Sequence, residues 1–286
     1  MNRTRLAVLA AAITGIQVGA AITATRYVAA DISPASLAFL RYAIGVACLF
    51  PVFATAQVRF ARGDIVPIAA LGIGQFGVLI ALLNYGLRTV PAGRGALIFA
   101  SFPLLTLAFA ALLGHERITP RKLAGILLTL AGVALALGDK IFGATSLTGE
   151  LAILASAAVG AICSVLYRPY LARYPALPVS AFAMLAAALA LLIPAAFDDL
   201  FAAPARLSAG AWGAIVFIGL SSGGGYVLWL WALKTIVATR VTVFLALSPI
   251  TAAALGVALL GEPVTAGMMA GVLCVAAGLW VASREK

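Results

Sequence analysis

Charge is the first thing this sequence is short of. Of its 286 residues only 10% are Asp, Glu, Lys or Arg, while 64% are hydrophobic. A soluble domain carries about 25% charged residues to wet its surface. With a mean hydropathy of +1.13, there is too much apolar side chain to hide inside one globule, and the solvent for most of the surface must be lipid. Acidic residues are scarcer still, nine against nineteen Lys and Arg, leaving a formal charge of +10. Nucleic-acid binders gather such charge into a stripe or patch. Here the basic residues stand singly between apolar runs, which argues against nucleic acid as a partner.

Catalytic equipment is equally thin. His115 is the single histidine, and neither G-x-S-x-G nor H-E-x-x-H occurs. An intramembrane enzyme needs an embedded nucleophile with its base, a carboxylate pair or a set of metal ligands, so enzymatic function is disfavoured. The three cysteines, Cys48, Cys163 and Cys274, lie in apolar segments without C-x-x-C spacing. They imply neither disulfide nor metal and are expected to be buried, inert thiols. No cofactor is expected. No Asp or Glu falls at the middle of an apolar run, which removes the usual carrier of a coupled proton.

What is present is a succession of apolar segments. Crossing a hydrocarbon core of roughly 30 Å takes about 20 residues of helix. With Pro, Gly and charges as punctuation, spans fall near 5–29, 34–55, 64–88, 91–114 and 119–138, then near 148–169, 178–198, 208–233, 238–261 and 264–283. The fold class is therefore all-α: a polytopic integral membrane protein with ten transmembrane helices. The first segment, preceded by Arg3 and Arg5, is shaped like a signal peptide but lacks a small-residue cleavage site, and it reads as a retained anchor. With the N-terminus inside, thirteen Lys and Arg fall on the cytoplasmic side and five outside (Arg26, Arg88, Arg94, Lys140 and Arg206), with Arg41 inside a span. This asymmetry places both termini in the cytoplasm, in the cytoplasmic (inner) membrane of a bacterium.

Self-similarity at a fixed offset comes next. Pro103 and Pro249 are 146 residues apart, and the same offset pairs Arg88 with Lys234, Arg94 with Arg240, Glu116 with Glu262, Thr119 with Thr265, Gly125 with Gly271 and Gly132 with Gly278. The chain divides into a first repeat, 1–140, and a second, 141–286. Each holds five spans, an odd number, so the two must be inverted. Inverted repeats characterise secondary transporters, in which exchanging the conformations of two related halves alternates the side to which a central site opens.

The paired blocks Ser101-Phe102-Pro103 through Gly114-His115-Glu116 and Leu247-Ser248-Pro249 through Gly261-Glu262-Pro263, each followed by a Gly-spaced helix, resemble the ten-helix EamA branch of the drug/metabolite transporter superfamily. Arg41-Tyr42 matches that family's usual Arg-aromatic pair. The resemblance covers essentially the whole chain. It implies export or facilitated exchange of small metabolites through a cavity lined mainly by the third, fourth, eighth and ninth helices. Among members the chain looks most like bacterial amino-acid exporters, including aromatic amino-acid exporters of the YddG type. Multidrug or other metabolite export and a channel-like facilitator are the alternatives.

Polar side chains at membrane depth are costly, so each is a site candidate: Gln17, Gln75, Ser101, Ser221, Ser222 and Ser248 for substrate binding. Gln75 and Ser221 are 146 residues apart and so share a depth. Against this, Ser and Thr often satisfy their own helix or join neighbouring helices. Tyr226 and Trp229 supply candidate aromatic walls; Tyr226 is one residue off the i, i+4 position from Ser221, and Trp231 suits an interfacial belt. Pro103 and Pro249, near mid-span, remove a backbone hydrogen bond and are candidates for hinges or cavity shaping. Arg41 either attracts a substrate carboxylate or holds carbonyls near the surface while its stem snorkels. Glu116 and Glu262, just before Thr119 and Thr265, suit loop closure at a helix start. Gly15-x-x-x-Gly19 and Gly267-x-x-x-Gly271 suit helix packing within one chain or between two, so monomer and homodimer both stay open.

Overall fold

The structure of the protein is a computed structural model describing residues 3–55, 58–114, 119–138, 146–236 and 244–283. His115, Glu116, Arg117, Lys140, Arg240, Arg284 and Lys286 lie outside the described residues, as does the start expected for the ninth span. Among the described residues there is no strand, and ten helical crossings follow one another: α1 Arg3–Val28, α2 Pro34–Thr55, α3 Arg62–Gly86, α4 Ala92–Leu112, α5 Pro120–Gly138, α6 Leu147–Arg173, α7 Ala176–Phe197, α8 209–235, α9 Leu247–Leu260 and α10 Ala266–Ser283. Seven of these are long and apolar enough to cross a membrane, while α5, α9 and α10 contain shorter apolar stretches. Helix is the expected form, because a segment in hydrocarbon must satisfy its own backbone.

The packing follows the repeat. α1 lies on α9 as α6 lies on α4, and α8 lies on α1 as α3 lies on α6; α2 pairs with α7 and α5 with α10. Each contact reappears when the two halves are exchanged. The glycines show this at atomic scale. A Cβ on Gly132 would sit 2.8 Å from the Gly271 carbonyl oxygen, and one on Gly278 would sit 2.7 Å from that of Gly125. Gly125 and Gly271 are repeat mates, as are Gly132 and Gly278, so each contact is the other's image under a two-fold axis. Gly15 and Gly19 in turn face the backbone of Phe244 and Ser248. These small residues let helices approach closely in lipid, where no hydrophobic force drives them together, and they are used within one chain.

The irregularities are paired too. α3 contains a π-helical turn at Ile73–Val78 and α8 one at Ser221–Gly225, close to the 146-residue offset. α4 breaks between Phe99 and Phe102, so that Pro103 enters the first turn of a new helical segment; Pro249 stands likewise in the first turn of α9. The two prolines thus start helical segments, where a missing N–H costs little, rather than kinking continuous ones. Gly114 and Gly261 follow α4 and α9 with φ of 72° and 64°, the left-handed ending that glycine allows at no steric cost.

The turn after α7 is tied to the start of α2, where the Ser33 N–H donates to Asp199 Oδ2 at 3.0 Å. Burial by itself would raise the Asp199 pKa. The hydroxyls of Ser36 and Ser33, the Ser33 N–H and nearby Arg206 outweigh it and hold the carboxyl below its ordinary value.

Two outcomes follow for the purified protein. Gly132→Val should lower stability by about 1–3 kcal/mol through overpacking against α10, read as a lower melting temperature in detergent; an unchanged melt would contradict the glycine contact. Asp199→Ala should lower the melting temperature at neutral pH. Because the folded carboxyl has the lower pKa, its contribution is complete above the unfolded value near 3.8 and fades as pH falls through the folded one. Mutant and wild-type melts should therefore converge in acid.

Candidate functional site

Half-way along the bundle lies a cavity of about 290 Å³ lined from both repeats. Gln17, Gln75, Arg41, Ser221, Ser222, Tyr226 and Trp229 all line it. Ser101 and Ser248 do not: both are buried, and the Ser101 hydroxyl donates to the Ile98 carbonyl of its own helix at 2.7 Å. Pro103 and Pro249 also lie off the wall, although Phe99 and Phe102, which bracket the α4 break, are on it.

The polar groups on the wall hold one another in place. A π turn widens the helix and releases a carbonyl from its usual partner. At the first residue of the α8 turn, the Ser221 carbonyl accepts from Gln17 Nε2 of α1 at 2.7 Å. The next residue, Ser222, donates its hydroxyl to the Ile218 carbonyl at 2.8 Å and accepts from Arg41 Nε at 2.6 Å. Gln75, on the π turn of α3, has a buried Oε1 with no hydrogen-bond partner. Gln17 and Ser222 are thus both structural and cavity-facing, whereas the Gln75 oxygen is uncommitted.

Aromatic rings complete the wall. Tyr42 meets Phe76 edge-on with centroids 5.4 Å apart, and Phe76 meets Tyr226 at 6.0 Å. The Arg41 guanidinium carbon is 5.8 Å from the centre of the Tyr42 ring, within cation–π range. Tyr42 and Phe76 escape a search for polar groups at membrane depth; adjacency to Arg41 and Gln75 is the signal that finds them. Trp231 is exposed, and so is Cys48, contrary to a uniformly buried set of thiols.

Ion pairs between the repeats close both ends of the bundle. At the end away from the termini, Arg26 Nε reaches Glu262 Oε1 at 3.0 Å, and its NH1 donates to the carbonyls of Leu87 and Arg88 at 2.9 and 2.6 Å. Glu262 Oε2 accepts the Ala92 N–H at 2.7 Å. Glu262 therefore does close a helix start, that of α4 in the other repeat. Arg94 meets Glu150 nearby at 3.4 Å, with side chains only 5% and 8% exposed. At the end carrying the termini, Arg173 meets Asp64 at 3.3 Å, but Arg173 is 62% exposed, and the Tyr174 hydroxyl donates to the same carboxylate at 2.7 Å.

The chain matches the EamA-like transporter family over residues 5–138 and again over 147–284. It belongs to that family. Among relatives of this EamA-like protein, one from Archaeoglobus fulgidus, described as an uncharacterized transporter, is 29% identical over 94% of this chain and 95% of its own. A probable terminal-alkyne amino-acid exporter of Streptantibioticus cattleyicolor is 30% identical over 98% and 94%. The aromatic amino acid exporter YddG of Ancylobacter novellus is 32% identical over 55% of each chain. A protein of known crystal structure, 24% identical, shares the fold with a TM-score of 0.70 over 96% of both chains. The relatives are named as transporters and exporters, and this EamA-like chain is a membrane transporter, not an enzyme.

The closures differ in what they should tolerate. Arg94→Ala removes one member of a buried pair and should cost about 3–5 kcal/mol, seen as a large drop in melting temperature. Arg173→Ala removes an exposed partner and should cost no more than about 1 kcal/mol. Equal losses at the two ends would contradict the burial difference.

Proposed function

We propose that this transporter exports amino acids, or metabolites of closely similar size, by alternating access through the central cavity. The carrying observation is that one cavity, at the bottom of the ~300–1,000 Å³ range of ligand pockets, is lined by both inverted repeats. In this reading the units that exchange conformation are 1–140 and 141–286, both termini lie in the cytoplasm, and the protein sits in the cytoplasmic membrane. Gln17, Gln75, Arg41, Ser221 and Ser222 provide the polar contacts, while Tyr226 and Trp229, with Tyr42 and Phe76, provide the apolar wall. Two relatives named as amino-acid exporters support the substrate class. A drug-sized substrate fits the small volume poorly. Transport is facilitative, because no carboxylate lines the cavity among the described residues.

The test is uptake of a radiolabelled amino-acid panel into proteoliposomes. Saturable uptake with counter-exchange is expected for at least one apolar or aromatic amino acid, reduced by Gln75→Ala by no more than about tenfold and little changed by Ser248→Ala. Flux linear in concentration would mean a channel, and silence across the panel from folded protein would remove the amino-acid assignment. Obligatory proton counterflow would overturn the facilitative mechanism.

A further inference from the structure

The cavity is electrically one-sided. Among the described residues that line it, Arg41 is the sole charged group. Its Nε is fixed by Ser222 at 2.6 Å, and its other nitrogens make no hydrogen bond among the described residues. Ser222 is itself anchored to the Ile218 carbonyl, so the guanidinium is held as a prepared donor, with its terminal nitrogens left for a ligand. Arg41 is partly buried, and its planar guanidinium fork matches a carboxylate with two parallel bonds.

An α-ammonium finds much less. It needs acceptors for three N–H groups, and among the described residues on the wall the fully buried acceptor without a partner is Gln75 Oε1, with Gln17 Oε1 beside a nitrogen already given to Ser221. The Ser221 carbonyl is already taken by Gln17, and the Ser222 hydroxyl accepts from Arg41. The fixed charge of Arg41 also repels a second cation in the same small space. The remaining wall, from Tyr42 through Phe76 to Tyr226, offers ring faces and edges to an apolar body.

We propose that this site selects its cargo by the carboxylate: it takes monocarboxylates with an apolar or aromatic body, bound on Arg41 beside Ser222, and the α-ammonium of an amino acid is dispensable. The proposal deepens the amino-acid reading and rests on it. It extends the cargo to acids that lack the amino group and excludes amines that lack the carboxylate.

Three ligands of nearly one shape test it by calorimetry on the full-length protein in nanodiscs: phenylalanine, 3-phenylpropionate and phenethylamine. Phenylpropionate should bind within about tenfold of phenylalanine, and phenethylamine about 100-fold or more weaker. Arg41→Gln should weaken both acids by about 100-fold, and Arg41→Lys, which keeps the charge but loses the two-bond fork, should fall between Arg41→Gln and wild type; thermal melts establish that each variant is folded. Phenethylamine binding as well as the acids, or Arg41→Gln binding them undiminished, would overturn the proposal. Should phenylalanine bind and phenylpropionate not, carboxylate selection fails while amino-acid export stands. Should none of the three bind to folded wild-type protein, both fall.

Discussion

Hydrocarbon offers no partner for a backbone N–H or C=O, and the rest of this structure depends on that constraint. Regular helix meets it everywhere that lipid touches the chain, so any departure must be covered by protein or line a cavity. The departures here obey the rule. The π turns of α3 and α8 and the break in α4 all lie around the central cavity, and the carbonyl at the first residue of the α8 turn is taken up by Gln17 from the facing helix. Irregular backbone and polar side chain thus arise together, and the place where the helices fail to be regular is the place where a ligand finds something to hold.

Much of the architecture was legible in the sequence because hydropathy and fixed-offset repetition report on it directly. The ten spans lie within a few residues of the helices wherever those are described, and the glycines paired by the 146-residue offset turned out to be the contacts between α5 and α10. The candidate site was half legible. Depth can be estimated by counting residues, and Gln17, Gln75, Ser221 and Ser222, chosen that way, line the wall. Direction around the helix cannot be read when the helix changes pitch. Tyr226 is out of step with Ser221 on an α-helix, yet the intervening π turn brings position i+5 onto the same wall. Ser101 shows the opposite failure: it lies at the break in α4, bonded back to Ile98, at a plausible depth but off the wall. Of the aromatic lining, Tyr226 and Trp229 were legible as a wall, whereas Phe76 escaped because it looks, residue by residue, like ordinary core.

Among the described residues, ion pairs between the repeats stand at both ends of the bundle. Away from the termini, one buried and one partly exposed ion pair and a carboxylate that caps a helix of the opposite repeat join the halves. At the other end, among the described residues, Arg173 meets Asp64 from a mostly exposed position and the Tyr174 hydroxyl donates to the same carboxylate.

Arg41 has a further consequence, which concerns voltage. A charge fixed to the wall of a cavity stays with the protein, so the net charge moved across the membrane in each cycle is that of the cargo alone. An amino-acid zwitterion carries none, and its flux answers only to the concentrations on the two sides. A carboxylate without the amino group carries one negative charge, worth about 2.3 kcal/mol per 100 mV. In a cell whose interior is negative, the same cavity would then send the two kinds of cargo outward under unequal driving forces.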